Sequence, residues 1–233
     1  MQKLVLFDID GTLVLTGGAG VRAMNRALAD AFGHAEGLDG IPVAGRTDWA
    51  ILADAVRRFG RSLDGATLAN LRDSYVTNLA EEILHPGQGP KAVLPGVRDI
   101  LEQLERRDDV LVGLVTGNFE EGARVKLGHF DLWRYFRCGA YGGDAADRNA
   151  LVPFAVERAR ACGLPEIADA DVLVVGDTPH DVMCAQVAGA TAVAVATGSS
   201  TLEELRATGA DVVFEDLGDT EAFLRVVGPS TRP

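Results

Sequence analysis

The chain has 233 residues, 47% of them hydrophobic, and carries a formal net charge of −12. That length supports one good core plus a smaller appended unit. The acidic surplus opposes binding to nucleic acid or to anionic membrane, where affinity comes largely from lysine and arginine, so a site for an anionic small molecule must be a locally positive pocket.

In chain order, the first apolar run, Leu4–Phe7, reads as a buried strand that breaks into Asp8-Ile9-Asp10-Gly11-Thr12. Alternate strand residues point the same way, but the turn starts before Asp10 and lets its side chain swing towards the group that Asp8 attacks. That geometry suits one carboxylate as nucleophile and the other as proton donor and acceptor. Residues 16–90 then change character. Apolar residues fall at helical spacing (Met24, Leu28, Phe32; Ile51, Leu52, Ala55, Phe59; Leu68, Leu71, Tyr75, Leu79, Ile83), with no strong strand. Glycine-rich segments at Thr16–Gly20 and Pro86–Pro90 bound this region, which predicts a small helical cap on two flexible hinges. The expected division is a core of residues 1–15 and 91–233 and a cap of 16–90, with the sheet resuming near Leu94-Pro95-Gly96.

Beyond the cap, Val97, Ile100, Leu101 and Leu104 form a one-sided helical stripe. Leu111–Val115, Val172–Val175, Ala192–Val195 and Val212–Phe214 are apolar runs without alternation, as parallel strands covered on both faces require. Phe154, Val156 and Ala159 begin another helix, and Val182–Ala188 a third, closed by Gly189. Strand and helix in alternation predict a doubly wound, parallel, Rossmann-like α/β sheet. Cys138, Cys162 and Cys184 show no paired framework or CxxC motif, pointing to reduced thiols buried as small apolar residues in a cytoplasmic protein. The apolar start is too short for a signal peptide, and no run reaches the length of a membrane span.

Ligand sites on such sheets lie beyond the carboxyl ends of the strands. There the sequence places Asp8 and Asp10, then Thr116-Gly117-Asn118, then Gly176-Asp177-Thr178 with Asp181; Arg148 stands ahead of a helix between the last two. Asp8 and Asp177, with the backbone carbonyl of Asp10, offer hard oxygen ligands to a divalent cation. Thr116, the N–H groups near Gly117 and Asn118, and Arg148 would hold phosphate oxygens. Thr116 and Asn118 also read as caps of the helix beginning at Phe119, and Thr178-Pro179-His180-Asp181 as a capping box that by itself accounts for Asp181. In the cap, Gly45-Arg46-Thr47-Asp48 presents an arginine that either is solvated or reaches a carboxylate or second phosphate on the substrate.

These four stations resemble, in order and over nearly the whole chain, the four motifs of the haloacid dehalogenase superfamily, and the inserted helices resemble the cap of its phosphoglycolate phosphatase-like branch. DIDGT and GDTPHD carry most of the resemblance. It implies Asp8 as the nucleophile forming an aspartyl-phosphate, Asp10 as acid and base, and Mg2+ bound by Asp8, Asp10 and Asp177, with Asp181 behind them. Two features depart from the pattern. The third motif usually offers lysine, and here Arg148 is assigned, although Lys126 lies on the helix after Asn118. At the cap entrance Val14-Leu15-Thr16-Gly17-Gly18 lacks the acidic residue many relatives carry. Asp10 disfavours dehalogenation, and the absence of lysine between Lys3 and Lys91 disfavours phosphonate hydrolysis through a Schiff base. The expected function is hydrolysis of a small-molecule phosphate monoester, by a monomer or homodimer that binds neither nucleic acid nor membrane. The alternatives are a sugar phosphomutase and a catalytically idle binding module.

Overall fold

The computed structural model describes residues 2–33, 37–164 and 167–229. In chain order its strands are β1 (Lys3–Phe7), β2 (Val14–Thr16), β3 (Lys91–Val93), β4 (Val110–Val115), β5 (Cys138–Ala140), β6 (Val172–Gly176), β7 (Thr191–Val195) and β8 (Val212–Phe214). Six of them form one parallel sheet in the order β5-β4-β1-β6-β7-β8. Strand β1 lies in the interior of that sheet. From it the chain moves outward through β4 and β5, then crosses back to β6, β7 and β8. The reversal around β1 opens a crevice at the carboxyl ends of β1, β4 and β6, where doubly wound sheets bind ligands.

Burial on both faces explains the unbroken apolar runs. In β1, Leu4 and Leu6 pack on one side with Leu151, Ala155 and Val182. Val5 and Phe7 pack on the other with Ile100, Leu101, Leu127 and Phe223. These four side chains are fully buried, each worth roughly 1.5–3 kcal/mol of transfer free energy. The helices covering the sheet are α4 (Val97–Glu105), α5 (Glu120–His129) and α9 (Thr220–Val227) on one face, and α6 (Leu151–Ala161), α7 (Pro179–Val187) and α8 (Leu202–Ala207) on the other.

Between β2 and β3 lie α1 (Ala19–Phe32), α2 (Asp48–Arg58) and α3 (Gly65–Glu82). They share a separate core of Met24, Leu28, Ile51, Leu52, Leu71, Tyr75 and Leu79. Core residue Phe119 joins it, edge-on to Tyr75 at 6.3 Å between ring centroids.

The structure differs from the sequence-based expectation at four places. The helical insertion does not hang on bare hinges: β2 and β3 pair antiparallel, Val14 opposite Val93, and the Gly17 carbonyl accepts a bond from the Gln88 amide beyond them. Three residues per strand are too few to leave a periodic signal. Strand β5 has no apolar run at all and exists because Cys138–Ala140 pair with Gly113–Val115. Helix α6 begins at Leu151, three residues before Phe154; its buried stripe is Leu151, Val152, Ala155 and Ala159, and Phe154 is exposed. Finally, of the three free thiols only Cys184 is buried; Cys138 is half-buried and Cys162 exposed. No described helix is long and apolar enough to cross a membrane.

Candidate active site

Register brings the motif residues together. Phe7 lies opposite Leu114 on one side and Val175 on the other, so Asp8 is level with Val115 and Gly176, the last residues of β4 and β6, and one residue short of the level of Thr116 and Asp177. The Asp8 amide continues the ladder with a 2.9 Å bond to the Val175 carbonyl, which fixes the residue before the chain turns away. Gly11 makes that turn at φ 79°, and a Cβ there would lie 2.5 Å from the Asp177 carboxylate. Glycine is therefore required both for backbone sign and for the approach of the two loops.

Arg148 is buried in a short 3₁₀ turn before α6. One of its terminal nitrogens lies 3.2 Å from Asp8 Oδ1 and also donates to Asp181 Oδ1. Its Nε is buried without a hydrogen-bond partner among the described residues. The other Asp181 oxygen accepts from the Thr178 amide at 3.1 Å and the Thr178 hydroxyl at 2.7 Å. Asp181 thus both caps α7 and anchors the arginine, and the two readings of the sequence are not exclusive.

Asp8, Asp177 and Asp181 form a buried cluster with one carboxylate oxygen of each within 4.8 Å of the others, an arrangement able to hold a metal ion. Both oxygens of Asp181 are committed, whereas Asp177 is held only loosely, by the Thr12 hydroxyl at 3.4 Å and the Ser199 amide at 3.3 Å. Burial raises the Asp8 carboxyl above the ordinary range; Arg148 opposes the shift and Asp181 adds to it. Burial also raises Asp177, to about 8, with the charges of Asp181 and Asp8 adding to the effect. A concentration of buried anions with one arginine among them fits a hard cation with oxygen ligands.

Asp10 sits just before the Gly11 turn with its side chain 43% exposed to the crevice. Lys126 Nζ holds its Oδ2 at 2.6 Å, and Asn118 Nδ2 holds the same oxygen at 2.9 Å. Lys126 also donates to Asn118 Oδ1 at 2.6 Å, and Asn118 Nδ2 to Thr116 Oγ1 at 2.8 Å. Asn118 therefore spends its side chain on fixing Asp10 and Thr116. Sequence reasoning set Lys126 aside in favour of Arg148; the structure uses both, one on each aspartate. The available signal was a lysine three residues after Ala123 and next to Leu127, on the buried stripe of α5.

Asp48 is the second functional candidate the sequence did not single out. The loop before α2 crosses onto the core, where the Asp48 amide donates to the Gly117 carbonyl at 2.7 Å and its carboxylate accepts from the Phe119 amide at 2.9 Å. Thr47 caps α2 through the Ala50 amide and donates to the Ala146 carbonyl at 2.8 Å. Gly117 is irreplaceable beneath this loop, since a Cβ would stand 2.0 Å from the Arg46 carbonyl. Burial raises the Asp48 carboxyl to about 6, with Lys126 opposing the shift. Nothing in the sequence spacing foretold this contact, because it depends on how the cap lies against the sheet. Arg46 reaches the cavity wall, but its guanidinium pairs with Asp54 at 2.6 Å and the Pro42 carbonyl at 3.1 Å.

One cavity of about 560 Å³ joins these groups: Asp8, Asp10, Asn118, Lys126, Arg148 and Asp177 line its floor, and the helical unit forms its roof. The chain is similar to the probable phosphatase IndB of Dickeya dadantii, with 30% identity over 98% of this chain and 93% of that one. It is 32% identical to the phosphoglycolate phosphatase of Rhodospirillum rubrum, covering 96% of this chain and 92% of the relative. Among solved structures, a hydrolase from Pseudomonas syringae superposes with a TM-score of 0.69 at 25% identity, over 98% of this chain and all of the other. The family model of the haloacid dehalogenase-like hydrolases matches residues 5–195. With so much of the chain matched, the protein belongs to the haloacid dehalogenase-like hydrolases.

Proposed function

We propose that the protein hydrolyses a small-molecule phosphate monoester, with Mg2+, through an aspartyl-phosphate on Asp8. The observation that carries this reading is the division of labour between two aspartates on one cavity floor: Asp8 buried against Arg148, Asp10 half-exposed and tethered by Lys126 and Asn118. The names of the Dickeya and Rhodospirillum relatives support it.

In the first step a carboxylate oxygen of Asp8 forms a bond to phosphorus while the bond from phosphorus to the alcohol oxygen breaks, and Asp10 gives that oxygen its proton. In the second, Asp10 takes a proton from a water whose oxygen attacks phosphorus, releasing inorganic phosphate and restoring Asp8. Arg148 and Thr116, with the N–H groups near Gly117 and Asn118, hold the non-bridging oxygens. The buried Nε of Arg148 gains an acceptor when a phosphate oxygen arrives, relieving an unmade bond worth about 1–3 kcal/mol. The carboxylates of Asp8 and Asp177 and the carbonyl of Asp10 would hold Mg2+, and Asp181 would keep Arg148 in place. A bound Mg2+ supplies charge neutralisation between an anionic nucleophile and an anionic substrate.

The direct test is acid quench of enzyme with a turned-over monoester, followed by mass spectrometry. A phosphorylated peptide spanning Asp8 is expected, and EDTA should abolish both the adduct and phosphate release. Undiminished turnover in EDTA would remove the metal from the scheme.

A second expectation follows from Asp177. Its folded pKa, about 8, lies above that of an unfolded carboxyl, so the metal-free fold binds a proton that the unfolded chain has lost. This contribution to stability is complete below about pH 4 and fades as pH rises towards 8. Mg2+ competes with that proton, so the rise in Tm on adding MgCl2 should be larger at pH 8 than at pH 6. A thermal shift that shrinks with rising pH, or is absent at both, contradicts the ligand assignment.

A further inference from the structure

The roof of the cavity says what sort of alcohol carries the phosphate. The volume, about 560 Å³, falls within the range of sites for drug-sized ligands and far exceeds the needs of a two-carbon acid. Above Asp8 and Asp10 the walls are Leu15, Val21, Met24, Leu38, Val43 and Ile51, from the β2 strand, α1 and the segment around α2. Three cations line the cavity, and each already has a carboxylate partner. Arg148 is paired with Asp8 and Asp181, Lys126 with Asp10, and Arg46 with Asp54. Arg148 faces the phosphate and Lys126 the acid–base group, which leaves Arg46 as the one cation placed to meet a second anion. Its Nη1 and Nη2 also donate to the backbone carbonyls of Pro42 and Ala50. Thr16, Tyr75 and Gln88 add uncharged polar groups to the lining, and Asp48, between roof and floor, is itself an acid and would repel an anionic leaving group. An uncharged, predominantly apolar body satisfies this wall, whereas a carboxylate would be desolvated with no uncommitted lining cation to pair it.

Resting on the phosphatase reading, we infer that the substrate is the phosphate monoester of an uncharged, predominantly apolar alcohol larger than two carbons, and that phosphoglycolate is discriminated against. The choice between alcohols falls to the cavity roof, since the phosphate floor is indifferent to the alcohol. Each methylene buried against such a wall favours the longer substrate.

The test compares kcat/KM for four monoesters of primary alcohols, so that the bond broken is alike: 2-phosphoglycolate, ethyl phosphate, n-hexyl phosphate and glucose 6-phosphate. Hexyl phosphate should exceed ethyl phosphate at least tenfold and phosphoglycolate at least a hundredfold, with glucose 6-phosphate below hexyl phosphate. Phosphoglycolate equal to or better than hexyl phosphate, or no gain from ethyl to hexyl, overturns the inference while leaving the phosphatase reading intact. No turnover of any of the four overturns that reading and the inference with it. Val21→Arg provides an independent arm, because Val21 is an exposed wall residue whose replacement leaves the cores untouched. It should raise the phosphoglycolate-to-hexyl ratio about tenfold, and an unchanged ratio would show that the substrate does not meet this wall.

Discussion

Asp8→Asn is expected to reduce turnover by about four orders of magnitude or more while leaving the fold intact, the cost typical of deleting a nucleophile that forms a covalent intermediate. An amide oxygen is a poor nucleophile towards phosphorus, and no other carboxylate can take the position. Asp10 is held in the grip of Lys126, and Asp181 has both oxygens engaged. Stability should respond in the opposite direction from activity. Asp8 is buried among acids and its carboxyl is raised by that burial, so a neutral side chain of the same shape removes an unfavourable charge. Arg148 keeps Asp181 as its partner. The Tm should be unchanged or higher, read by circular dichroism beside a phosphate-release assay. Turnover within tenfold of the unaltered protein would dismiss Asp8 as nucleophile.

Asp10→Asn should lower kcat by about 10²–10⁴, the usual contribution of a positioned acid–base group, and should affect both formation and breakdown of the adduct. Unlike the Asp8 change, it should also cost stability. Lys126 is buried and would lose its ionic partner, a loss of several kcal/mol in a fully buried pair. The Asp10 side chain is nearly half exposed, so solvent already screens the pair and the expected cost is about 1–2 kcal/mol. Lys126→Met separates positioning from chemistry. Asp10 then keeps its carboxyl group but only Asn118 to orient it, and kcat should fall about tenfold to a hundredfold with KM much less affected. If Lys126→Met raises KM and spares kcat, Lys126 acts on bound substrate and not on the acid–base group.

Much of the site could be read from the chain because three of its four motifs follow directly on a strand. Those strands, β1, β4 and β6, carry unbroken apolar runs up to or next to their carboxyl ends, and a residue placed just past such a run has little freedom in where it emerges. Asp8, Thr116 and Asp177 were therefore legible together. Arg148 was legible only as the cation standing between two stations, and the bond to Asp8 bears on that choice without depending on any local pattern. Local spacing placed the start of α6 late: the helix begins at Leu151, and Phe154 faces outward because the Leu151, Val152, Ala155 and Ala159 stripe meets the sheet.

What the sequence determined by itself was the sheet, the helical insertion and the acidic floor. Those follow from short-range physics: continuous apolar runs that must be covered on both sides, helical periodicity, and glycines where the backbone must reverse. The tertiary structure alone decided that Lys126 clasps Asp10, that Asp48 bonds the start of α5 across from the cap, and that Arg46 turns away to Asp54. Each of the first two joins residues some 70 to 116 positions apart. The third depends on which way a long side chain turns once the cap loop is seated. Such contacts are selected by how two separately cored units lie against each other, and no periodicity along the chain encodes that.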